Sequence, residues 1–312
     1  MTHHFLHNIA KKISNSLAFG LGIVLTLSIA YAATTWVSGQ APQTAPVDGN
    51  IATPVFVDGP MLAGLGCVTT GNGNGIKCDA ALKAAADLVI AADAFDYNIA
   101  TELGNPTESI DVTLTINTGI IVGSTSTGNA ALSTGSLPAG STVKIVNKGR
   151  IQGKGGDGGA GYNACQPAGA PGGTGGNGLE LLLSVTLDNA SGEIWAGGGG
   201  GGGGGNGCGC PWSAGNGGGG GAGSVFGSGG SGTYFNGTNG TTLLGGVGGT
   251  SSAPHIQIVG GNGGVPGTAG TNGSNGCSAG GGAGGLAGDA VQGNGNVITW
   301  IGAQGDIKGQ IN

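Results

Sequence analysis

From residue 107 the chain runs in a two-residue period. Ile110, Val112, Leu114 and Ile116 alternate with Asp111, Thr113 and Thr115, the pattern of a strand with one buried face. A related phrase returns downstream. Val112-x-Leu114 leads to Gly119-x-Ile121-x-Gly123, Val143-x-Ile145 to Gly149-x-Ile151-x-Gly153, Val185-x-Leu187 to Gly192-x-Ile194-x-Ala196, and Val297-x-Thr299 to Gly305-x-Ile307-x-Gly309. Each predicts two short strands around a turn. The spacing between copies is irregular, which reads as a recurring rung and not as a regular solenoid. Upstream the period changes. Leu82, Ala85, Ala86 and Val89 recur at helical spacing, Asp79 can cap, and Gly104 can stop the run before Asn105-Pro106. That spacing predicts a helix over Asp79 to Leu103, the centre of a small N-terminal subdomain over 61–106.

Between the later rungs the apolar pattern gives way to glycine, 77 of 312 residues, against about 7% in ordinary proteins. The tracts come in blocks at 153–161, 169–178, 197–205, 215–223, 227–232, 245–249 and 260–288. Inside them a three-residue register is visible. Gly153, Gly156 and Gly159 keep one register, Gly155, Gly158 and Gly161 a second, and from Gly261 to Gly288 every third position is glycine except Ala279. Three residues per turn is the period of the polyproline-II helix, which has no internal hydrogen bonds. Its backbone groups, once buried, must bond to neighbouring chains. Glycine on two of three faces permits that approach because no Cβ intervenes. Flexible Gly/Ser linker is the competing reading of such composition. The persistent register, the similar tract lengths and the flanking rungs favour ordered packing of short antiparallel polyglycine-II helices. Collagen is excluded: it needs one unbroken repeat rich in proline, and only 11 prolines occur.

The N-terminus carries an export pattern. Lys11 and Lys12 precede the apolar run Leu17 to Ile29, and Ala30-Tyr31-Ala32 offers a cleavage site before Ala33. This predicts a signal peptide over 1–32, or an uncleaved anchor reaching residue 37, as the only membrane contact. Proline-rich residues 33–60 read as a linker. Six cysteines suit an oxidising compartment. Cys67, Cys78, Cys165, Cys208, Cys210 and Cys277 are disulfide candidates, with Cys67 and Cys78 the simplest local pair. Cys208-Gly-Cys210 is too tight for a zinc knuckle, and no metal or cofactor is expected.

A net charge of −6, from 9 basic and 15 acidic residues, argues against nucleic acid, whose phosphates call for clustered Lys and Arg. From Ile194 to Gly288 there is no Asp, Glu, Lys or Arg, so paired carboxylates and nucleophile–base sets are missing from the densest part of the domain, and no enzyme is expected. Gly153-x-Gly155-x-x-Gly158 matches a dinucleotide fingerprint, but more glycine follows where a helix should open. Asn189, Asn236, Asn239 and Asn272 head glycosylation patterns expected by chance in this composition. Bulky residues are confined to connectors: Tyr162, Cys210-Pro-Trp212, Val225-Phe226, Tyr234-Phe235, Leu243-Leu244 and His255-Ile256. Parallel rods place connectors at two ends, so one end would display aromatics on short loops, the composition of a binding face. Tyr162, Trp212, Phe226, Tyr234, Phe235 and His255 are the candidates; the same side chains read equally as caps on the hydrophobic ends of the stack.

The stretch from about residue 105 to 312 resembles the glycine-rich receptor-binding domains at the tips of phage long tail fibres. The resemblance rests on Val112-Thr-Leu-Thr-Ile-Asn-Thr-Gly119, on Val143-Lys-Ile-Val-Asn-Lys-Gly149, on the glycine blocks with variable connectors, and on Gly293-Asn-Gly-Asn-Val-Ile-Thr-Trp300. It implies a polyglycine-II sandwich whose far-end connectors contact a bacterial receptor, and it singles out Trp212, Phe226, Tyr234 and Phe235. Tail-fibre parts need no export signal, and here the chain departs from the pattern. The expected fold is mainly irregular and β over 107–312: stacked polyglycine-II helices flanked by β rungs. The expected function is a secreted or surface-anchored adhesin that binds a cell-surface protein or glycan. A structural subunit of an extracellular fibre, self-associating through strand edges, is the alternative. An ice-binding protein resembling the snow-flea type ranks last, because Thr250, Thr268 and Thr271 form no regular row.

Overall fold

A computed structural model describes residues 67–69, 76–78, 83–162, 168–206, 215–250, 258–276 and 279–312. The signal or anchor and the linker expected before residue 61 lie outside the described residues, as do Cys165, Cys208, Cys210, Trp212, His255 and Cys277. Met1–Leu82 and Lys83–Asn312 are two compact units. In the first, β1 (Cys67–Thr69) and β2 (Ile76–Cys78) pair antiparallel with Cys67 opposite Cys78. Among the described residues no helix is long and apolar enough to cross a membrane.

In the second unit the rungs do stack as a solenoid. Strands β3 (Ala84–Ile90), β6 (Ile110–Ile116), β9 (Thr142–Asn147), β12 (Val185–Asp188) and β15 (Ile298–Trp300) form one five-stranded parallel sheet. A second holds β4 (Ala94–Phe95), β7 (Ile121–Gly123), β10 (Arg150–Gln152), β13 (Glu193–Trp195) and β16 (Asp306–Lys308). A third holds β5 (Tyr97–Asn98), β8 (Leu132–Ser133), β11 (Leu179–Glu180), β14 (Asp289–Gln292) and β17 (Gln310–Ile311). Each coil gives one strand to each sheet. Spacing is irregular because the glycine blocks are inserted between the second and third strands of the third and fourth coils.

Alternation along the strands becomes stacking across them. Leu88, Leu114, Ile145, Leu187 and Trp300 sit in register, as do Tyr97, Leu132, Leu179, Val291 and Ile311. Leu114, Ile145, Leu187, Leu132 and Leu179 are wholly buried, each stabilising the fold by about 1.5–3 kcal/mol. Two sequence registers were one residue off. Ile298, not Val297, pairs with Val185, and Val122, not Ile121, pairs with Ile151. At one corner Asn147 Nδ2 donates to Asn189 Oδ1 at 2.7 Å and to the Glu193 carbonyl at 3.1 Å, while Asn147 Oδ1 accepts from Gly149 N–H.

The expected helix over Asp79–Leu103 is corrected. Ala84–Ile90 is β3, paired with β6 from Ala84↔Ile110 to Ile90↔Ile116. Ala86, Leu88 and Ile90 alternate toward the core, and alanine's helix preference of a few tenths of a kcal/mol per residue (roughly) yields to that pairing. Among the described residues helix is confined to α1 (Ile99–Glu102), capped by Asn98, whose side chain accepts from Thr101 N–H.

The glycine blocks are neither helix nor strand, and they are cross-bonded throughout. We number them segment 1 (153–162), 2 (168–178), 3 (196–206), 4 (215–223), 5 (227–232), 6 (235–241), 7 (245–250), 8 (258–265), 9 (268–276) and 10 (279–288). Segment 3 shows the rule. Gly197, Gly200 and Gly203 donate to segment 2; Gly198, Gly201 and Gly204 to segment 4; Gly199, Gly202 and Gly205 to segment 9. Its carbonyls accept from segments 1, 8 and 10. Segment 4 is likewise enclosed by segments 1, 3, 5, 6, 7 and 8. Both are buried along their whole length. A methyl group on Gly200 would overlap the Asp157 carbonyl, and one on Gly201 the Gly261 carbonyl, which is why these segments are almost pure glycine. Consecutive segments run antiparallel. Segments 1 and 3, 2 and 10, and 4 and 6 run parallel, so the packing is mixed and not purely antiparallel.

Candidate functional site

The bundle has two distinct ends. Segments 1, 2, 3 and 10 continue directly into β10, β11, β13 and β14, so those termini define a base. At the base Trp195 lies between Arg150 and Lys308, with its ring centre 3.8 Å from the guanidinium carbon and 3.4 Å from Nζ, and Nε1 donates to Asp306 at 3.1 Å. Arg150 also pairs with Glu193. A cleft of about 310 Å³ at this corner is lined by Gly119, Ile120, Lys148 and Arg150 among others, with Arg150 already committed to its partners.

Because direction alternates from segment to segment, connectors alternate between base and far end. The 224–226 connector lies at the base. Ser224 Oγ accepts from Ser124 N–H at 2.9 Å, and the Val225 carbonyl accepts from Gly155. Connector 242–244 is also at the base, where Gln152 Nε2 donates to the Thr242 carbonyl at 2.7 Å. Phe226 is therefore exposed at the base, with Leu243 and Leu244, on the opposite end from Tyr234.

The far end is marked by Tyr162, Asn206, Gly215, the turn at Thr233–Phe235, Thr250, Ile258, Gly276 and Ala279. Here Tyr234 is 56% and Phe235 50% exposed. Their backbone is tied to segment 4. Thr233 N–H donates to the Gly215 carbonyl at 3.0 Å, Gly217 donates to the Phe235 carbonyl at 3.0 Å, and Phe235 N–H donates to Asn216 Oδ1 at 3.3 Å. Asn216 is fully buried, and its Nδ2 donates to the Ile258 carbonyl. The Thr233 hydroxyl donates to the Tyr162 carbonyl at 3.0 Å. Tyr162 is buried, not displayed, and its hydroxyl has no hydrogen-bond partner among the described residues; desolvation pushes its phenol above the usual tyrosine range.

The structure thus brings Tyr162, Tyr234 and Phe235 to one end and takes Phe226 away from it. Trp212 and His255 lie outside the described residues; in sequence they fall between Asn206 and Gly215, and between Thr250 and Ile258. Sequence reasoning missed Asn216 and Thr233, which position the turn. An asparagine inside a block otherwise of glycine and one alanine was the available signal.

The family model of the phage tail fibre adhesin Gp38 matches residues 85–312, from β3 to the C-terminus. The chain belongs to this family. No curated protein and no solved structure matches it. The Gp38 match includes the first coil, whose strands the sequence had assigned to a separate helical subdomain. Membership of an adhesin family points to receptor binding at an exposed surface and away from catalysis.

Proposed function

We propose that this Gp38-family chain is a non-enzymatic adhesin whose receptor-binding face is the far end of a polyglycine-II bundle, with Tyr234 and Phe235 as aromatic anchors. The three-residue period of the cross-bonds supports the polyglycine-II assignment, as does a pattern in which each enclosed segment bonds to a ring of neighbours and none to itself. At a rise of about 3.1 Å per residue, segment 3 carries the far end roughly 30 Å from the solenoid. The observation that carries the reading is the Thr233–Phe235 turn. Two large aromatic side chains stand in solvent on a backbone pinned at Gly215, Asn216 and Gly217, so they are presented with little ordering cost on binding. Trp212 and His255, named with them from the sequence, lie outside the described residues.

The test is binding of the purified protein to host bacteria. Tyr234→Ala with Phe235→Ala lowers affinity about 30-fold or more, the effect of losing one hot spot of about 2 kcal/mol, with unchanged thermal melting. Phe226→Ala at the base leaves affinity unaltered. Equal binding by the double variant and the parent refutes the assignment.

The sequence of residues 17–32 supports export, with the mature chain starting at Ala33; an exported protein that retains Met1 refutes cleavage. The register of Cys67 opposite Cys78 supports a local disulfide between them.

A further inference from the structure

We infer that Asn236, Asn239, Asn262, Asn272 and Asn275 are edge guards. They close the outward glycine N–H rows of the bundle and so keep a second copy of the chain from adding its own glycine segments there. Among the described glycines of segments 1 to 10, every backbone N–H is bonded except those of Gly245 and Gly280, at the starts of segments 7 and 10. Most donate to a backbone carbonyl. Five donate instead to an asparagine Oδ1: Gly229 to Asn239, Gly232 to Asn236 and Gly284 to Asn272 at 2.9 Å, Gly248 to Asn262 and Gly281 to Asn275 at 3.0 Å. All five asparagines are exposed. Residues with a side chain are treated differently. The N–H groups of Thr174, Ala283 and Leu286 have no hydrogen-bond partner among the described residues, and all three residues are exposed.

The difference has a steric cause. At Ala283 or Leu286 the residue's own Cβ holds another backbone away, so an open N–H there meets water. Glycine has no such barrier. Gly281 and Gly284 are three residues apart, about 9 Å at a rise of about 3.1 Å per residue. Gly282 and Gly285 donate to segment 3 at that same interval. Left open, the outer row would repeat on the surface the pattern by which segments bond inside. A second copy brings the matching period and the acceptors, since the carbonyls of Gly229 and Gly248 accept no hydrogen bond among the described residues. Sheets meet the equivalent hazard at their edges with charge, proline or bulges. From Ile194 to Gly288 there is no charged residue to repel a copy, so closure falls to the asparagines. Each Oδ1 stands where the carbonyl of a further segment would lie, and the side chain fills the approach.

The experiment removes both guards of one row from the full chain, Asn272→Gly with Asn275→Gly. Both side chains are exposed, and segment 9 keeps its backbone bonds at Gly270, Thr271, Gly273 and Ser274, so the framework is retained. Thermal melting checks this, and Asn275→Gly alone is the milder variant. Sedimentation velocity over a concentration series reads the mass. The inference expects the folded glycine variant to associate beyond the parent's state, reversibly and increasingly with concentration. Asn272→Asp with Asn275→Asp, whose carboxylates still accept the two N–H groups, should match the parent. A folded glycine variant with the parent's mass at every concentration overturns the inference. Amide exchange in the parent supplies a reading that depends on no variant. Corrected for intrinsic rates, Gly281 and Gly284 should exchange about fivefold slower than Ala283 and Leu286, the effect of a bond worth about 1 kcal/mol. Equal rates would mean that the guards are not in place and overturn it as well. None of these outcomes bears on binding through Tyr234 and Phe235, which stands or falls separately.

Discussion

Adding one methyl group to the enclosed segment, at Gly201, separates packed backbones from a slack glycine linker. Gly201 N–H donates to the Gly219 carbonyl at 2.8 Å, and its carbonyl accepts from Gly159 at 2.8 Å. A Cβ there would overlap the Gly261 carbonyl, so segments 3 and 8 must move apart. That movement breaks the bonds from Gly261 to Gly202 and from Gly264 to Gly199, both 2.7 Å. Two bonds at about 1 kcal/mol net, added to about 1–3 kcal/mol of overpacking, give a loss of about 3–5 kcal/mol. For a unit of this size each kcal/mol moves the midpoint by about 2–4 °C, so Gly201→Ala melts about 6–20 °C below the parent. The control is Gly280→Ala. Gly280 is exposed and, among the described residues, a Cβ there meets only Asn275 Oδ1 at 3.6 Å, so alanine is neutral or stabilises by up to about 1 kcal/mol through the unfolded chain. Scanning calorimetry of both variants decides the matter. Equal melting of Gly201→Ala and the parent would mean that the segments are not in contact.

Further outcomes follow from the solenoid and the outer segments. Asn147→Ala strands the Asn189 Oδ1 and the Gly149 N–H in a buried corner and costs about 2–3 kcal/mol in urea unfolding; a cost within about 0.5 kcal/mol of zero refutes the corner's role. Burial, and secondarily the Glu102 charge, raises the Tyr97 phenol above its ordinary value. The neutral form is thus favoured by folding, its contribution is full below about pH 10 and is lost as pH rises through the raised value. Tyr97→Phe should flatten that alkaline decline in unfolding free energy, and an identical decline in the variant counts against it. Asn236-Gly237 and Asn239-Gly240 should resist deamidation. The glycine nitrogen that would attack the asparagine Cγ and expel ammonia is bonded to Gly230 or Gly227, and each asparagine Oδ1 accepts from Gly232 or Gly229. Peptide mapping after prolonged incubation should find deamidation in urea and little in buffer; equal rates would refute the protection.

Much of the bundle was legible. The register from Gly261 to Gly288 is the row of glycines on segments 8, 9 and 10 that faces segment 3: Gly261, Gly264, Gly282, Gly285 and Gly288 donate to it, and Cβ atoms on Gly270 and Gly273 would strike it. The unbroken run 197–205 is the segment with neighbours on every side. The end on which each connector lies is not legible from its local flanks. Phe226 and Tyr234 have similar flanks, and only counting segments from β10 shows that one returns to the base and the other does not. The first coil was hidden for a different reason. Ala84, Ala85 and Ala86 favour helix locally, and only the non-local partner Ile110–Ile116 makes the segment a strand. Tyr162 has the same local pattern as the displayed connector aromatics, and its burial leaves no trace in local sequence.

The same geometry separates the fold's requirements from those of the face. On segment 6 the triplet Asn-Gly-Thr is fully used: Gly237 and Gly240 bond to segment 5, Asn236 and Asn239 accept from segment 5, and Thr238 and Thr241 hydroxyls accept from Val247 and Leu244. Base connectors are held through side chains as well, at Ser224 and Gln152. The Thr233–Phe235 turn is held through backbone groups, the buried Asn216 and the Thr233 hydroxyl, while the Tyr234 and Phe235 rings project from it into solvent. A substitution at either ring therefore changes what the end presents and leaves the framework's hydrogen bonds intact. Loss of binding in such a variant, with melting unchanged, is interpretable as loss of contact, whereas the same test at Asn216 would confound contact with collapse of the turn.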